Sequence, residues 1–297
     1  MKKNSFYFCC FCFFVLLSIS INGQNNISFS EKWTASQLKA DKIANEYCRK
    51  YPDIKHYKPA YKSFYDSIAK KEITLDMFIE VPKGNGPFPV VIFVHGGGFI
   101  AGDKSSFTHQ SFALAENGIV GISIEYRLKG HGGTQPLLVA DVMDAIDFVR
   151  KNARKYNIDF SKLGLSGGSA GAYLSSYAAM KTPECICYVG YNGGYEVTER
   201  ALAKMTGEYG IKASPISIIK SPPPATLLFH GKEDTTIDYQ KSVLFAEAIR
   251  AKGGTAEVLL YDGQKHSFFN KEPYLGQTTD AMLNHVLKVF GLPSKVK

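Results

Sequence analysis

Leu163-Gly164-Leu165-Ser166-Gly167-Gly168-Ser169-Ala170-Gly171 joins a short apolar stretch to a run of small and apolar residues that continues to Met180. The leucines predict the end of a buried strand, and residues 170–180 predict a helix. Glycine on both sides of the serine relieves the crowding that a sharp strand-to-helix turn causes. In this setting the G-x-S-x-G pattern predicts that the hydroxyl of Ser169 is exposed above the sheet. The alternative is a glycine-rich turn that only packs the helix tightly against the sheet.

Strands and helices alternate on both sides of this turn. Buried strands are predicted at residues 89–95, 118–126, 186–189, 225–229 and 256–261, and helices at residues 31–51, 136–156, 239–252 and 278–290. Residues 64–81 predict a pair of strands that is broken near Lys70. Such alternation indicates an α/β domain around a mostly parallel sheet with helices on both faces. Sites in these sheets lie beyond the carboxyl ends of the strands.

The first 23 residues have the layout of a secretory signal peptide. Lys2 and Lys3 precede an unbroken apolar run at residues 6–17, and small residues follow at 18–23. The run is short for a bilayer span. We therefore expect residues 1–23 to be a leader, with a lipoprotein as the less favoured alternative. Residues 24–297 are expected to form one secreted or periplasmic domain with a short N-terminal helical extension and no stable membrane insertion.

Composition narrows the class of protein further. Hydrophobic residues make up 45% and charged residues 21%, which is ordinary for a soluble globular domain. The formal net charge is +8, but Lys and Arg are scattered, so we expect a solvated surface and no nucleic-acid partner. Beyond the leader, Cys48, Cys185 and Cys187 are too few for a disulfide framework, although one bridge from Cys48 stays possible. No His accompanies them at zinc-site spacing, so no metal is expected.

A second glycine-rich motif, His95-Gly96-Gly97-Gly98-Phe99, directly follows the predicted strand at 89–95. Consecutive glycines cost chain entropy unless the backbone must approach something closely. The amides of Gly97 and Gly98, together with that of Ala170, would suit the oxyanion of an acyl-transfer reaction. A phosphate-binding loop is the main alternative, but the Lys-Ser/Thr of a P-loop and the G-x-G-x-x-G pattern are both missing. His95 itself is expected to orient or pack.

A serine nucleophile needs a base to take its proton and an acid to orient that base. When the serine follows a strand in this way, the expected chain order is Ser, acid, His. His230-Gly231-Lys232-Glu233-Asp234 follows one predicted strand, and His266 follows the next. The order and placement predict Asp234 as the acid and His266 as the base.

Other carboxylates and histidines compete for these roles. Glu233, Asp238 and Asp262 are rivals for the acid, and a turn-forming role suits Asp262 better. Beyond Ser169, the remaining histidines are His230, at a strand end beside the acid, and His285, in the last predicted helix. Both are expected to be structural.

Together these motifs resemble a known family. HGGGF (95–99), EYRL (125–128), GGSAG (167–171), HGKED (230–234) and the late His266 are similar to the esterase/lipase group of the α/β-hydrolase superfamily. The likeness is strongest to the branch related to bifunctional feruloyl/acetylxylan esterases and to hormone-sensitive-lipase-like carboxylesterases. It covers roughly residues 64–290, and it implies the α/β-hydrolase fold.

The resemblance implies a serine carboxylic-ester hydrolase that works through an acyl-enzyme and needs no cofactor. The site residues it implies are the triad Ser169, Asp234 and His266 and the oxyanion donors Gly97, Gly98 and Ala170. Acetyl or feruloyl esters of carbohydrate, as small molecules or polysaccharide, are the substrates that it favours.

Two stretches depart from the family pattern. Residues 129–135 and Lys265 differ from the residues common in relatives, and both are expected near the mouth of the pocket.

A serine peptidase of the same fold is an alternative function, but such relatives carry a large gating domain. Between Tyr191 and Pro224 there is room only for a small lid. A non-catalytic binding relative is a second alternative, although here all three triad residues are present.

Overall fold

The computed structural model describes residues 27–196 and 214–293. The predicted leader lies outside the described residues, and so does most of the predicted lid. The strands are β1 (Lys55–Tyr57), β2 (Ala60–Asp66), β3 (Lys71–Val81), β4 (Phe88–Val94), β5 (Val120–Ile124), β6 (Ile158–Gly168), β7 (Cys185–Tyr191), β8 (Ala225–Gly231) and β9 (Ala256–Tyr261). The helices are α1 (Phe29–Lys50), α2 (Thr108–Glu116), α3 (Gln135–Lys151), α4 (Ala170–Lys181), α5 (Gln240–Ala251) and α6 (Tyr274–Phe290).

These strands form one mostly parallel sheet, as the alternating pattern predicts. The strand order is β1-β3-β5-β4-β6-β7-β8-β9, and β2 pairs with β3 at one end. The pairings that involve β1, β2 and β3 are antiparallel, whereas β5, β4, β6, β7, β8 and β9 run parallel to one another. Because β6, β8 and β9 are parallel, the loops that follow them emerge at the same edge of the sheet.

Alternate residues of β4 pack into two separate cores, one on each face of the sheet. Val90, Ile92 and Val94 belong to a cluster that includes buried residues of α3, α4 and α5. Val91 and Phe93 belong to a second cluster with residues of α2 and α6. Since successive side chains of a strand point to opposite faces, helices cover both faces of the sheet.

Two elements were not predicted from the sequence. Helix α2 has no amphipathic period to reveal it, because Thr108, Gln110 and Ser111 are buried along with its apolar residues. Strand β1 has only three residues, too few for a periodic signal. The boundaries of α3 also differ, since this helix ends at Lys151 and Asn157 has a positive φ of 58°.

Helix α1 confirms the predicted helix near the N-terminus. It begins with a capping box, in which Ser28 and Glu31 satisfy each other's backbone amides. Trp33, Ala40 and Ala44 form its buried face.

The possible disulfide is absent, because Cys48, Cys185 and Cys187 are all free thiols in the part of the chain described.

Candidate active site

Ser169 lies in a strained turn between β6 and α4. Its φ of 54° and ψ of −119° fall outside the regions that side chains other than glycine normally adopt. Its amide donates to the carbonyl oxygen of Tyr191, at the end of the neighbouring strand, over 2.8 Å. This tie to β7 holds the turn in place and presents the Ser169 hydroxyl at the carboxyl edge of the sheet.

The glycines around Ser169 are required by close backbone packing. A Cβ on Gly171 would lie 2.0 Å from the carbonyl oxygen of Val94, and a Cβ on Gly167 would lie 2.4 Å from that of Gly171. Across the site, a Cβ on Gly96 would lie 2.8 Å from the carbonyl oxygen of Gly168. Real Cβ atoms do not approach other atoms so closely, so the G-x-S-x-G pattern reflects the packing of α4 and the turn against β4.

His266 lies between Ser169 and Asp234, after the turn that follows β9. Its Nε2 is 2.9 Å from Ser169 Oγ, and its Nδ1 is 2.6 Å from Asp234 Oδ2. An ionised carboxylate can only accept, so Nδ1 carries the proton and Nε2 of the neutral ring accepts from the Ser169 hydroxyl. This is the tautomer that a general base beside a serine requires.

Asp234 follows β8 and is surrounded by donors. His266 Nδ1–H and Asn192 Nδ2 donate to Oδ2, and the amides of Thr236 and Ile237 donate to Oδ1. Burial raises the pKa of this carboxyl, but hydrogen bonds from His230, His266, Ile237 and Asn192 outweigh burial and hold its pKa well below the ordinary value. Asp234 therefore stays ionised at neutral pH, as the partner of an imidazole base must.

The rival carboxylates lie outside this hydrogen-bond network. Asp262 is exposed and pairs with Lys232 over 2.7 Å, which agrees with a turn at the surface. Asp238 caps the backbone near the start of α5 by accepting from Gln240. Glu233 is exposed on the same loop as Asp234. Of the four carboxylates considered, only Asp234 lies within hydrogen-bond distance of His266.

The other histidines have structural contacts, as the sequence predicts. His95 is fully buried, with Nε2 2.9 Å from Glu125 and its ring stacked on Tyr126. His285 lies on α6 with Nε2 3.3 Å from the carbonyl oxygen of Ala225. His230 is also buried; its Nδ1 lies 2.7 Å from Ser242 Oγ, and its Nε2 lies 3.0 Å from the carbonyl oxygen of Ile237 and 3.2 Å from Asp234 Oδ2, so it helps to hold the carboxylate.

Sequence reasoning missed Asn192, which follows β7. Its side-chain amide donates to Asp234 Oδ2 over 2.8 Å, and its φ is 47°. The residue is fully buried, and its backbone amide donates to the carbonyl oxygen of Phe229. A polar residue directly after a buried parallel strand was the available signal, because each neighbouring strand also ends at a site residue.

The predicted oxyanion donors lie around the same cavity. Gly97 and Gly98 have positive φ values of 111° and 62°, which only glycine adopts easily. Both line a cavity of about 400 Å³ together with Ser169 and His266. Ala170 is buried at the first turn of α4, next to the serine. The structure therefore brings together all six residues that the motifs single out.

The remaining walls of this cavity are mixed in character. Phe107 and Phe269 form an apolar side, with ring planes inclined by 12° and centroids 6.3 Å apart. Thr236, Ser267 and Asn270 contribute polar groups. A cavity with one aromatic side and several hydroxyl or amide groups fits a small ester that has both apolar and polar parts.

The expectation for residues 129–135 is wrong. His131 is buried, and its ring packs edge-on against those of Trp33 and Phe29. A Cβ on Gly130 would lie 2.4 Å from the Phe29 ring. This stretch therefore packs against α1 and does not line the Ser169 cavity. Lys265, in contrast, is an exposed residue directly beside His266 in the chain.

The described part of the chain has neither a cluster of metal ligands nor a helix suited to a bilayer. No group of three or more His, Cys, Asp or Glu side chains in residues 27–196 and 214–293 could hold a metal ion. No helix in these ranges combines the length and apolar character needed to cross a bilayer.

Comparison with known proteins identifies relatives. A family model described as BD-FAE matches residues 75–193. The chain is 29% identical over 263 residues to isoprenylcysteine alpha-carbonyl methylesterase ICME of Arabidopsis thaliana, which covers 73% of this chain and 61% of that protein. It is also 29% identical over 210 residues to esterase LipC of Mycobacterium tuberculosis, and the match covers 60% of this chain and 52% of LipC. The chain spans about three fifths of the length of the first curated relatives that it matches.

A solved structure supports the same relationship. The thermophilic esterase Est2 from the planctomycete Thermogutta terrifontis superposes with a TM-score of 0.73 at 25% sequence identity, over 83% of this chain and 96% of that one. The fold class and the family resemblance drawn from the motifs are thereby confirmed. The chain has the α/β-hydrolase fold, its residues 75–193 match the BD-FAE family model, and the relatives and the solved structure that it resembles are esterases.

Proposed function

We propose that this protein is a secreted serine esterase that hydrolyses short-chain carboxylic esters through an acyl-enzyme. One observation carries the proposal: the continuous hydrogen-bond chain from Ser169 through His266 to the ionised Asp234, beneath a cavity that is open to a substrate. The names of the relatives support the reaction class, because each of the proteins described above is an esterase.

In the first step, Ser169 Oγ bonds to the ester carbonyl carbon while His266 Nε2 takes the hydroxyl proton. The carbonyl π electrons move to the oxygen, and a tetrahedral oxyanion forms. When this intermediate collapses, the bond from carbon to the alcohol oxygen breaks, and His266 gives its proton to the departing alcohol. Asp234 stabilises the imidazolium that exists between these two transfers and keeps its own charge.

In the second step, water replaces the alcohol. His266 takes a proton from water as the water oxygen attacks the acyl carbon, and the bond to Ser169 Oγ breaks when the proton is returned to the serine. In both steps the amides of Gly97, Gly98 and Ala170 would donate to the oxyanion. One such donor is worth about 3–4 kcal/mol of barrier in a serine hydrolase.

For the substrate we propose acetyl or feruloyl esters of carbohydrate. The BD-FAE match supports this choice, and so do the polar groups that Thr236 and Asn270 contribute to the lining of the cavity. The ICME relatives are methylesterases by name, and Est2 has been solved with propionate bound. A methyl ester has a small alcohol group and propionate is a small acyl group, so both fit a site for an ester with a small group on at least one side.

The first test is hydrolysis of p-nitrophenyl acetate, butyrate and octanoate by the purified chain and by Ser169→Ala. We expect turnover of the short esters and a loss of at least about 10⁴-fold in kcat in the variant. Ser161→Ala, which changes an exposed serine outside the site, is the matched control and should keep full activity. A folded wild-type protein that hydrolyses none of the esters and does not react with a fluorophosphonate would refute a serine esterase.

The second test addresses the substrate class. Acetylated xylan and feruloylated arabinose are compared with p-nitrophenyl butyrate at equal ester concentration. Release of acetate or ferulate with kcat/KM at or above that of the butyrate ester is the expected result. Rapid turnover of butyrate with no release from either carbohydrate ester would overturn the carbohydrate proposal while leaving the esterase proposal intact.

A further inference from the structure

The loop that carries the predicted oxyanion donors, residues 96–102, is held at both ends by buried charged groups. His95, immediately before the loop, lies 2.9 Å from Glu125 through Nε2. Lys104, just after the loop, donates its amide to the same carboxylate over 3.3 Å. His95, Glu125 and Lys104 are all fully buried. One carboxylate on the sheet therefore receives hydrogen bonds from both sides of the oxyanion loop.

The loop between these anchors is compact. The amides of Ile100 and Ala101 both donate to the carbonyl oxygen of Gly97 over 3.1 Å. A Cβ on Gly102 would lie 2.4 Å from the carbonyl oxygen of Gly96 and 2.5 Å from His95 Nδ1. Because the loop packs on itself so closely, a shift of either anchor moves the amides of Gly97 and Gly98 with it.

Helix α1, which supplies no residue to the triad, completes these anchors with two polar side chains. Gln37 donates through Nε2 to Glu125 Oε2 over 2.9 Å and accepts from the ammonium group of Lys104 through Oε1. Ser36 donates to Asp103 Oδ2 over 2.5 Å. Asp103 in turn accepts from the amide of Ser105 and caps the turn after the loop. Neighbouring residues on one helix thus contact both sides of the loop's C-terminal anchor.

Charge balance explains why these contacts matter. Lys104 has no exposed surface and pairs with Asp76 over 2.8 Å, while among the described residues the carboxylate oxygens of Glu125 contact His95, Gln37 and Lys104. A buried charged group that loses a hydrogen bond carries an unmet desolvation cost, which favours a rearrangement of the network around it. Removal of the Gln37 amide is therefore expected to move Glu125 and, through it, His95 and the oxyanion loop.

We propose that Ser36 and Gln37 of helix α1 are positioning residues for the oxyanion loop. The N-terminal helix then helps to set the geometry of the active site. This inference rests on the proposed function. It assigns to α1 a role in stabilising the tetrahedral intermediate, exerted through Asp103 and Glu125 and without contact with the substrate.

The test compares Gln37→Leu, Ser36→Ala and the double variant with wild type on p-nitrophenyl acetate. We expect kcat to fall about tenfold in each single variant, with KM within a factor of two, because a displaced oxyanion donor stabilises the transition state less well. The inhibition constant of a trifluoromethyl ketone, which forms an oxyanion on the serine, should rise by the same factor as kcat/KM falls. Ser36→Thr, which keeps the hydroxyl, should restore most of the activity.

Leu38→Ala is the matched control, since Leu38 lies on the same helix with 66% of its surface exposed. It should match wild type in every measurement. Variants with lowered melting temperature but wild-type kcat and inhibition constant at 25 °C would overturn the inference and leave α1 a purely structural role. A wild-type chain without esterase activity would instead refute the proposed function, so the two failures are distinct.

Discussion

The side chain of Asn192 donates to Asp234 through a 2.8 Å hydrogen bond, on the same carboxylate oxygen that accepts from His266. Asn192 directly follows β7, the strand that lies in the sheet between those that lead to Ser169 and Asp234. Its amide therefore fixes the rotation of the carboxylate and, with it, the direction in which Asp234 holds the imidazole ring.

Removal of this amide should slow the reaction without weakening substrate binding. Asn192→Gly deletes the side chain at a position where φ is 47°, which glycine adopts without strain. We expect kcat to fall about tenfold with KM nearly unchanged, because a less well-oriented base affects the chemical step. Asn157→Gly is the matched control, as Asn157 also has positive φ but precedes β6, at the end of the strand opposite to the serine. Equal kcat values for the two variants would contradict this role.

The depressed pKa of Asp234 predicts a specific loss of stability in acid. The folded-state pKa lies below the unfolded value of about 3.9, so this group stabilises the fold fully above that pH. Its contribution should decrease as the pH falls from about 4 toward the folded pKa. Urea unfolding of wild type and Asp234→Asn at pH 7, 4 and 3 measures it, and the difference between the two proteins should shrink as the pH is lowered. A constant difference would show that the charge of Asp234 does not stabilise the fold.

The packing of α4 against β4 predicts that Gly171 cannot be replaced. Gly171→Ala should lower the free energy of unfolding by about 3 kcal/mol or more, because the new Cβ would lie 2.0 Å from a backbone oxygen that cannot move aside. Gly276→Ala is the matched control. Gly276 lies in α6 with its nearest neighbour at 3.4 Å, so alanine should stabilise the protein by about 0.5–1 kcal/mol. Denaturant titrations in which both variants change the free energy of unfolding in the same direction would disprove this account.

The aromatic side of the cavity should limit the length of the acyl group. Phe269 is buried, lines the cavity and lies against Gly168, where a Cβ would be 3.0 Å from its ring. Phe269→Leu should raise the kcat/KM ratio of p-nitrophenyl octanoate to acetate about tenfold. Phe112→Leu, a change at a fully buried ring outside the cavity lining, controls for general loosening of the core. An unchanged ratio in Phe269→Leu would place the acyl chain elsewhere.

Local sequence signals were sufficient for the parts of the site that depend on turn chemistry. Three glycines after a buried strand and a serine between glycines can be interpreted one residue at a time, because each constrains its own backbone. Asp234 and His266 were predictable because parallel strands place their following loops at one edge. Asn192 was not predicted, since a single asparagine after a strand has no distinctive spacing and its partner is 42 positions away.

By itself, the sequence predicted the α/β class, the turn that carries Ser169, and the grouping of Asp234 and His266 with it, because periodicity and glycine placement act over a few residues. Only the tertiary structure decided that Glu125, Lys104 and His95 meet beneath the oxyanion loop, and that α1 covers them. It also decided that residues 129–135 pack against α1. These arrangements depend on long-range packing of polar groups, and no local pattern specifies which buried charges become partners.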